Sequence, residues 1–233
     1  VMVMSQFNNN DYVLRHTLAV RLFHWSLVLG FLPAGFTGAL LFLRPFLAPY
    51  LPGIFTNAAI MHLMMQIHII GAWILTLGCV LFFIFQYKKV GAFLHEIFDW
   101  TKRDIDWMKV SGGYPQKILF NKEVPVPPMG KINSGQKMMG VMVFFGGIII
   151  ILTGWVLYLA LPLVPKEIAW YADKIHLIVG LGLLACVCGG HIPLGMYNWK
   201  EFICMFTNGR IRVNDSTHHH PLWVEHDLEK VKD

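Results

Sequence analysis

Four long, nearly uncharged apolar runs constrain this chain more than any other feature. They fall at about residues 22–43, 59–86, 138–161 and 174–199. At 1.5 Å per residue, about twenty helical residues rise 30 Å, the thickness of a bilayer's hydrocarbon core. The runs are continuous rather than alternating, which points to helices and not to barrel strands. Composition agrees. Hydrophobic residues make up 55% and charged residues 14%, with a mean hydropathy of +0.52; soluble domains carry about 25% charge. The expected fold is an all-α membrane protein, one four-transmembrane-helix bundle over residues 1–199 with a polar tail at 200–233. No secretory signal precedes the first run. That run is too long for a signal's apolar core and lacks a small-residue cleavage site, so we read it as retained.

The fourth run carries two histidines, His176 and His191, fifteen residues apart. On an α-helix that spacing leaves them within about 60° on one face and separates them by roughly 22 Å along the axis. Ionisable groups inside a membrane helix are functional candidates by default. Two on one face near opposite membrane surfaces suit axial ligands for two stacked haems. The alternative for each alone is a hydrogen bond to a neighbouring helix or a place at the interface.

Partners are available on the other spans. The first run opens Arg21-Leu-Phe-His24-Trp25, which sets His24 just inside one membrane face beside an aromatic anchor. The second carries His62 and His68 near its start. Six residues turn a helix by about 240°, so these two cannot face one cofactor. His68 is the preferred ligand over His62 because it is deeper and Gly71 follows it, room for a porphyrin against the backbone. The third run has no ionisable group. By depth the histidines form two pairs, His24/His191 and His68/His176. Bis-histidine ligation gives a low-spin b-type haem suited to electron transfer.

The four cysteines add no second centre. Cys79, Cys186 and Cys188 lie in apolar runs, where a thiol is usually a small buried hydrophobe. Cys188-Gly-Gly-His191 lacks the second cysteine that covalent haem attachment needs. No zinc or iron–sulfur spacing occurs, so any cluster belongs to a partner.

The net charge of +5 matters less than where it sits. The N-terminal segment, the connection at 87–137 and the tail hold sixteen of the nineteen Lys and Arg residues; Arg44, Lys166 and Lys174 are the rest. In a four-span chain those three segments share one side. The positive-inside rule makes that side the cytoplasm, with both termini in it. The expected partner of this charge is membrane lipid and not nucleic acid. Within the connection, His95 to Met108 mixes Ile97, Phe98, Trp100, Ile105 and Trp107 with charge, and reads as an interfacial helix or one packed on a partner.

Two further motifs complete the pattern. Gly130-Lys-Ile-Asn-Ser-Gly-Gln-Lys137 directly precedes the third run, and His219-His-Pro-Leu-Trp223 lies in the tail. With Arg21-Leu-Phe-His24-Trp25 and the fourth-run histidines, the chain resembles the cytochrome b (gamma) subunits of membrane-bound formate dehydrogenases over nearly its whole length. The resemblance implies two b haems, the cytoplasmic one held by His24 and His191 and the outer one by His68 and His176. It implies a quinone site, for menaquinone or ubiquinone, beside Asn133, Gly135, Gln136 and His191. It implies an iron–sulfur subunit and a large catalytic subunit as partners, with room for a higher oligomer of the complex, in a bacterial inner membrane. Formate chemistry would lie outside this chain. The rival readings are a cytochrome b subunit of another quinone-linked enzyme, such as a hydrogenase or thiosulfate reductase, and a haem-free membrane anchor. From the residues alone, Asn133 and Gln136 can donate to a quinone carbonyl, while Asn133 or Ser134 can equally serve as a helix N-cap.

Overall fold

The computed structural model describes residues 8–217 and 219–226. Lys230 and Lys232, which figure in the charge count above, lie outside them. Among the described residues, four helices are long and apolar enough to cross a membrane: Leu18–Leu47, Ala58–Phe85, Ser134–Leu163 and Lys166–Tyr197. The fourth starts earlier than the expected residue 174. Lys166–Ala172, read from its polarity as a connection, is already helical, so His176 lies almost three turns inside the helix and does not open it.

Contacts divide the chain into two compact units. The membrane unit comprises residues 22–87 and 142–193. It contains most of α1 (Leu18–Leu47), the one-turn α2 (Pro52–Phe55), α3 (Ala58–Phe85), most of α7 (Ser134–Trp155) and α8 (Lys166–Cys186). Asn57 starts α3 as an N-cap, accepting from the Ala59 and Ile60 amides at 3.0 and 3.3 Å. Leu75, Ile150 and Leu183 form the buried centre, one residue from each of three helices, with Leu27 and Phe31 of α1 packed against it. Lipid tails are as apolar as leucine, so packing and hydrogen bonds hold such helices together. Gly71 shows how. A Cβ there would stand 2.6 Å from the Gly30 carbonyl oxygen. Gly71 therefore lets α3 approach α1, and does not make room for a porphyrin as its position after His68 had suggested.

Two π-turns interrupt the spans, Val156–Ala160 after α7 and Val187–His191 after α8. Neither is legible from periodicity. The second ends on His191. A π-turn takes up one extra residue. Fifteen residues then turn like about fourteen α-helical ones, and the offset between His176 and His191 falls from about 60° to about 40°.

The polar unit comprises residues 1–21, 88–141 and 194–233. Here β1 (Tyr12–Leu14) pairs antiparallel with β2 (Arg210–Arg212), Val13 opposite Ile211. This ribbon is the one addition to the all-α expectation among the described residues. The expected interfacial helix is broken into α4 (Tyr87–Phe98) and α5 (Lys102–Lys109), with α6 (Tyr114–Phe120) beyond. The break has a local cause: Thr101 and Asp104 form a capping box that starts α5 afresh. The tail folds as α10 (Trp199–Phe206), β2, α11 (Val213–Thr217) and α12 (Pro221–His226), after the short α9 (Ile192–Tyr197). Its core is Val13, Cys204, Ile211, Val213, Trp223 and Val224.

Candidate functional site

The membrane unit brings the four candidate histidines together as two pairs. His24 on α1 and His191 at the end of the π-turn have ring centres 6.3 Å apart. His68 on α3 and His176 on α8 have ring centres 6.0 Å apart. Metal–imidazole bonds are about 2 Å long, so two rings on opposite sides of one iron have centres about 6 Å apart. His62 is exposed on α3. Of the two second-span histidines, His68 is the one whose ring meets His176.

Hydrogen bonds set the tautomers of the second pair. His68 Nδ1 donates to the Ala34 carbonyl at 2.8 Å. Thr153 spends its hydroxyl proton on the Ile149 carbonyl at 2.6 Å, so its oxygen accepts from His176 Nδ1 at 3.1 Å. Both rings therefore keep Nε2 as the lone-pair nitrogen. Metal-binding histidines show this arrangement, with the other nitrogen held by a carbonyl or hydroxyl that fixes ring orientation. Both rings also lie over glycine. A Cβ at Gly38 would be 3.0 Å from His68 Cε1, and one at Gly154 3.0 Å from His176 Cε1. In the first pair, His24 Nδ1 is enclosed and has no hydrogen-bond partner among the described residues.

The Gly130–Lys137 turn belongs to the polar unit. Asn133 Oδ1 accepts from the Gln136 amide at 2.9 Å, and Gln136 Oε1 accepts from the Asn133 amide at 2.8 Å. This is a reciprocal capping box at the start of α7. The cap uses only the oxygens. Each side-chain amide keeps its NH2 group as a donor that the cap does not use. Asn133 is buried and Gln136 exposed.

Behind the turn stands a cluster that sequence reasoning missed. Asp104 on α5 is buried, 1% exposed as a residue. One of its oxygens takes the Lys137 ammonium at 2.9 Å and the Ser134 hydroxyl at 2.9 Å. The other takes the Thr101 amide and hydroxyl at 2.9 and 2.8 Å. Burial pushes this carboxyl group up, but the bonds from Lys137, Thr101 and Ser134 outweigh it and hold the group at about 2. Trp107, one turn further along α5, packs on Gly135. The Thr101-x-x-Asp104 spacing was the available signal; nothing in it points thirty residues on to Ser134.

The tail motif also gains a place. His220 is fully buried. Its Nδ1 donates to the Gly130 carbonyl at 2.7 Å, while Nε2 meets Glu201 Oε1 at 2.9 Å and the Arg15 guanidinium at 3.1 Å. The Leu222 amide donates to the Met129 carbonyl at 3.1 Å. The tail thus holds the start of the Gly130 turn.

Four helices long and apolar enough to cross a membrane, with two facing imidazole pairs between different helices, place the chain among helical-bundle membrane proteins. The comparisons narrow that class. The model of the prokaryotic cytochrome b561 family matches residues 15–206, and the chain belongs to that family. Its members are b-haem proteins, and the imidazole pairs fit that group. The chain is 26% identical to the formate dehydrogenase cytochrome b556 subunit of Haemophilus influenzae over 230 residues, 96% of this chain and 87% of that one. It is 28% identical to the nitrate-inducible formate dehydrogenase cytochrome b556(Fdn) subunit of Escherichia coli K12 over 159 residues, 66% of this chain and 68% of that one.

Proposed function

We propose that this chain is the membrane cytochrome b subunit of a formate dehydrogenase complex and passes electrons to a membrane quinone. The observation that carries the reading is the pair of imidazole couples, at 6.3 and 6.0 Å, in a chain whose relatives are named as formate dehydrogenase cytochrome subunits. Two b haems held by His24/His191 and His68/His176 would carry single electrons from a partner's iron–sulfur subunit to the quinone side. The chain's own residues do the rest. Ala34 and Thr153 hold the His68 and His176 rings with Nε2 available. Asn133 and Gln136 present NH2 donors to a quinone carbonyl, with Gly135 between them. A quinone that accepts two electrons also takes up two protons. Protons drawn from the cytoplasm, with oxidation on the outer side, would make the reaction charge the membrane. Formate itself is oxidised in the large catalytic subunit.

The test uses the complex purified from membranes. Formate should reduce low-spin b haem, and added quinone should reoxidise it. Asn133→Asp keeps the capping oxygen but replaces the donor NH2 with a carboxylate oxygen. A hydrogen bond to a group that gains charge is worth about 1.5–3 kcal/mol, so reoxidation by quinone should slow about ten- to a hundredfold. Haem content and reduction by formate should not change. Haems that formate never reduces would sink the electron path. Undiminished reoxidation in the variant would sink the quinone site.

The same reading places the complex in the bacterial inner membrane with both termini of this chain in the cytoplasm. It rests on the sixteen-to-three division of basic residues. A cysteine put at Thr101 should react with an impermeant reagent only from the cytoplasmic side, and one at Pro49 only from outside. Both reacting from one side would mean a wrong span count.

A further inference from the structure

Asp104 and Lys137 form an ion pair with side chains only 2% and 10% exposed. Buried ion pairs seldom stabilise more than well-packed apolar side chains of the same volume, because desolvation offsets the attraction; fixing one geometry is a better-attested use. The question is which geometry this pair fixes.

The answer lies in what the carboxylate touches. Ser134 and Lys137, both bound to one oxygen of Asp104, bracket Gly135 and Gln136. Lys137 also donates to the Asp99 carbonyl at 2.6 Å, just ahead of α5. Trp107 lies three residues after Asp104, hence on the same face of α5. It closes on Gly135 so tightly that a Cβ there would be 3.0 Å from its ring. Two side chains of one short helix thus grip residues 134, 135 and 137, which are interleaved with the two capping amides. The Thr101 bonds saturate the second carboxylate oxygen, so Asp104 is itself locked to the start of α5.

We propose that α5 positions the quinone-binding turn, with Asp104 as the positioning residue that sets where the Asn133 and Gln136 donors point. This rests on the quinone reading above. The amides touch the substrate; Asp104 acts through Ser134 and Lys137. Misplacing a binding group by about 1 Å can cost on the order of a hundredfold in rate, so a rigid clamp behind two donors has a kinetic consequence. The 87–137 connection becomes part of the quinone site and not only a lipid-facing helix.

The experiment compares variants in the whole complex. Asp104→Asn keeps the side chain's shape and removes its charge, leaving Lys137 buried without a counter-ion. The quinone KM should rise and kcat/KM should fall about ten- to a hundredfold. Affinity for a competitive quinone analogue should fall in parallel. Haem content, haem spectra and the rate from formate to a water-soluble dye reduced at the haems should stay as in the parent. The neutral pair Asp104→Asn with Lys137→Gln removes the orphaned charge and keeps a hydrogen bond, and should recover part of the loss. It also carries the test if the single variant fails to accumulate, since it should still show the raised quinone KM with normal haems. An unchanged quinone KM in these variants overturns the proposal. If Asn133→Asp is then unchanged as well, the quinone site is misassigned; if Asn133→Asp is slow, only the positioning role falls. Dye-linked and quinone-linked rates falling together with haem loss would make Asp104 a general structural residue and also overturn it.

Discussion

The membrane unit and the polar unit are held by opposite means. In the polar unit apolar side chains leave water, and each fully buried valine or isoleucine of its core contributes about 1.5–3 kcal/mol. That surplus supports buried charge: Asp104, Lys137, Arg15 and His220 all lie inside it. In the membrane unit there is no such surplus between helices. Contacts there run through Gly30 and Gly71, through Trp155 Nε1 donating to Thr76 at 3.0 Å, and through imidazoles bound to Ala34 and Thr153. A group bound between the histidines would therefore be a large part of what joins those helices. The polar unit carries its own joints. The comparison predicts unequal responses to loss of a ligand and loss of a charge.

The largest effect should come from the histidines. His176→Ala and His191→Ala sit on the same helix but belong to different pairs. Each should lose one of two non-covalent b haems, and a different one, as read by pyridine haemochrome stoichiometry and by the spectrum that remains. With a haem gone, the helices it joined should loosen, so the remaining haem should dissociate at a lower temperature than in the parent. A parent stoichiometry of one haem would break the two-pair reading. Two haems retained in either variant would show that the facing rings are helix-to-helix contacts and nothing more.

What could be read from the sequence follows the same division. Spans and histidines were legible because lipid allows few solutions: a run long enough to cross must be helical, and a histidine inside it needs a partner at its own depth. Charge placement gave the expected sidedness by the same logic. Helix ends were less legible. Lys166–Ala172 carries Lys166 and Glu167, which reads as a loop, yet a helix can carry charge where it leaves the bilayer. The π-turn at Val187–His191 was invisible because one extra residue leaves no compositional mark. The polar unit was read least well. Its contacts join residues far apart in sequence, Asp104 to Ser134, Arg15 to His220 and Val13 to Ile211, and no local period encodes such pairs. Asn133 and Gln136 were legible as a motif with two competing uses; the capping box takes their oxygens and leaves their NH2 groups out of the cap.

The smallest effect expected is in the latch formed by Arg15, Glu201 and His220, and it sharpens the comparison because it is purely a matter of charge. Burial pushes the Glu201 carboxyl group up. The hydrogen bond with His220 and the charge of Arg15, with His219 adding to them, outweigh burial and hold it at about 2 against an ordinary 4.5. A depressed carboxylate contributes stability that is fully present above its unfolded value and is lost as pH falls through its folded one. The latch should therefore be at full strength above about pH 4.5 and should weaken between there and about pH 2. The reporter is the Leu222 amide, bound to the Met129 carbonyl at 3.1 Å beside the His220–Gly130 bond. Its hydrogen-exchange protection in detergent should hold down to about pH 4.5 and decline below. Glu201→Gln should flatten that decline and lower protection at neutral pH by the equivalent of about 1.5–3 kcal/mol, the worth of a hydrogen bond to a charged group. Haem content should be untouched, since no joint of the membrane unit depends on Glu201. Protection that falls off well above pH 4.5 would assign the titration to another group. Haem loss in Glu201→Gln would mean that the latch does more than hold the Gly130 turn.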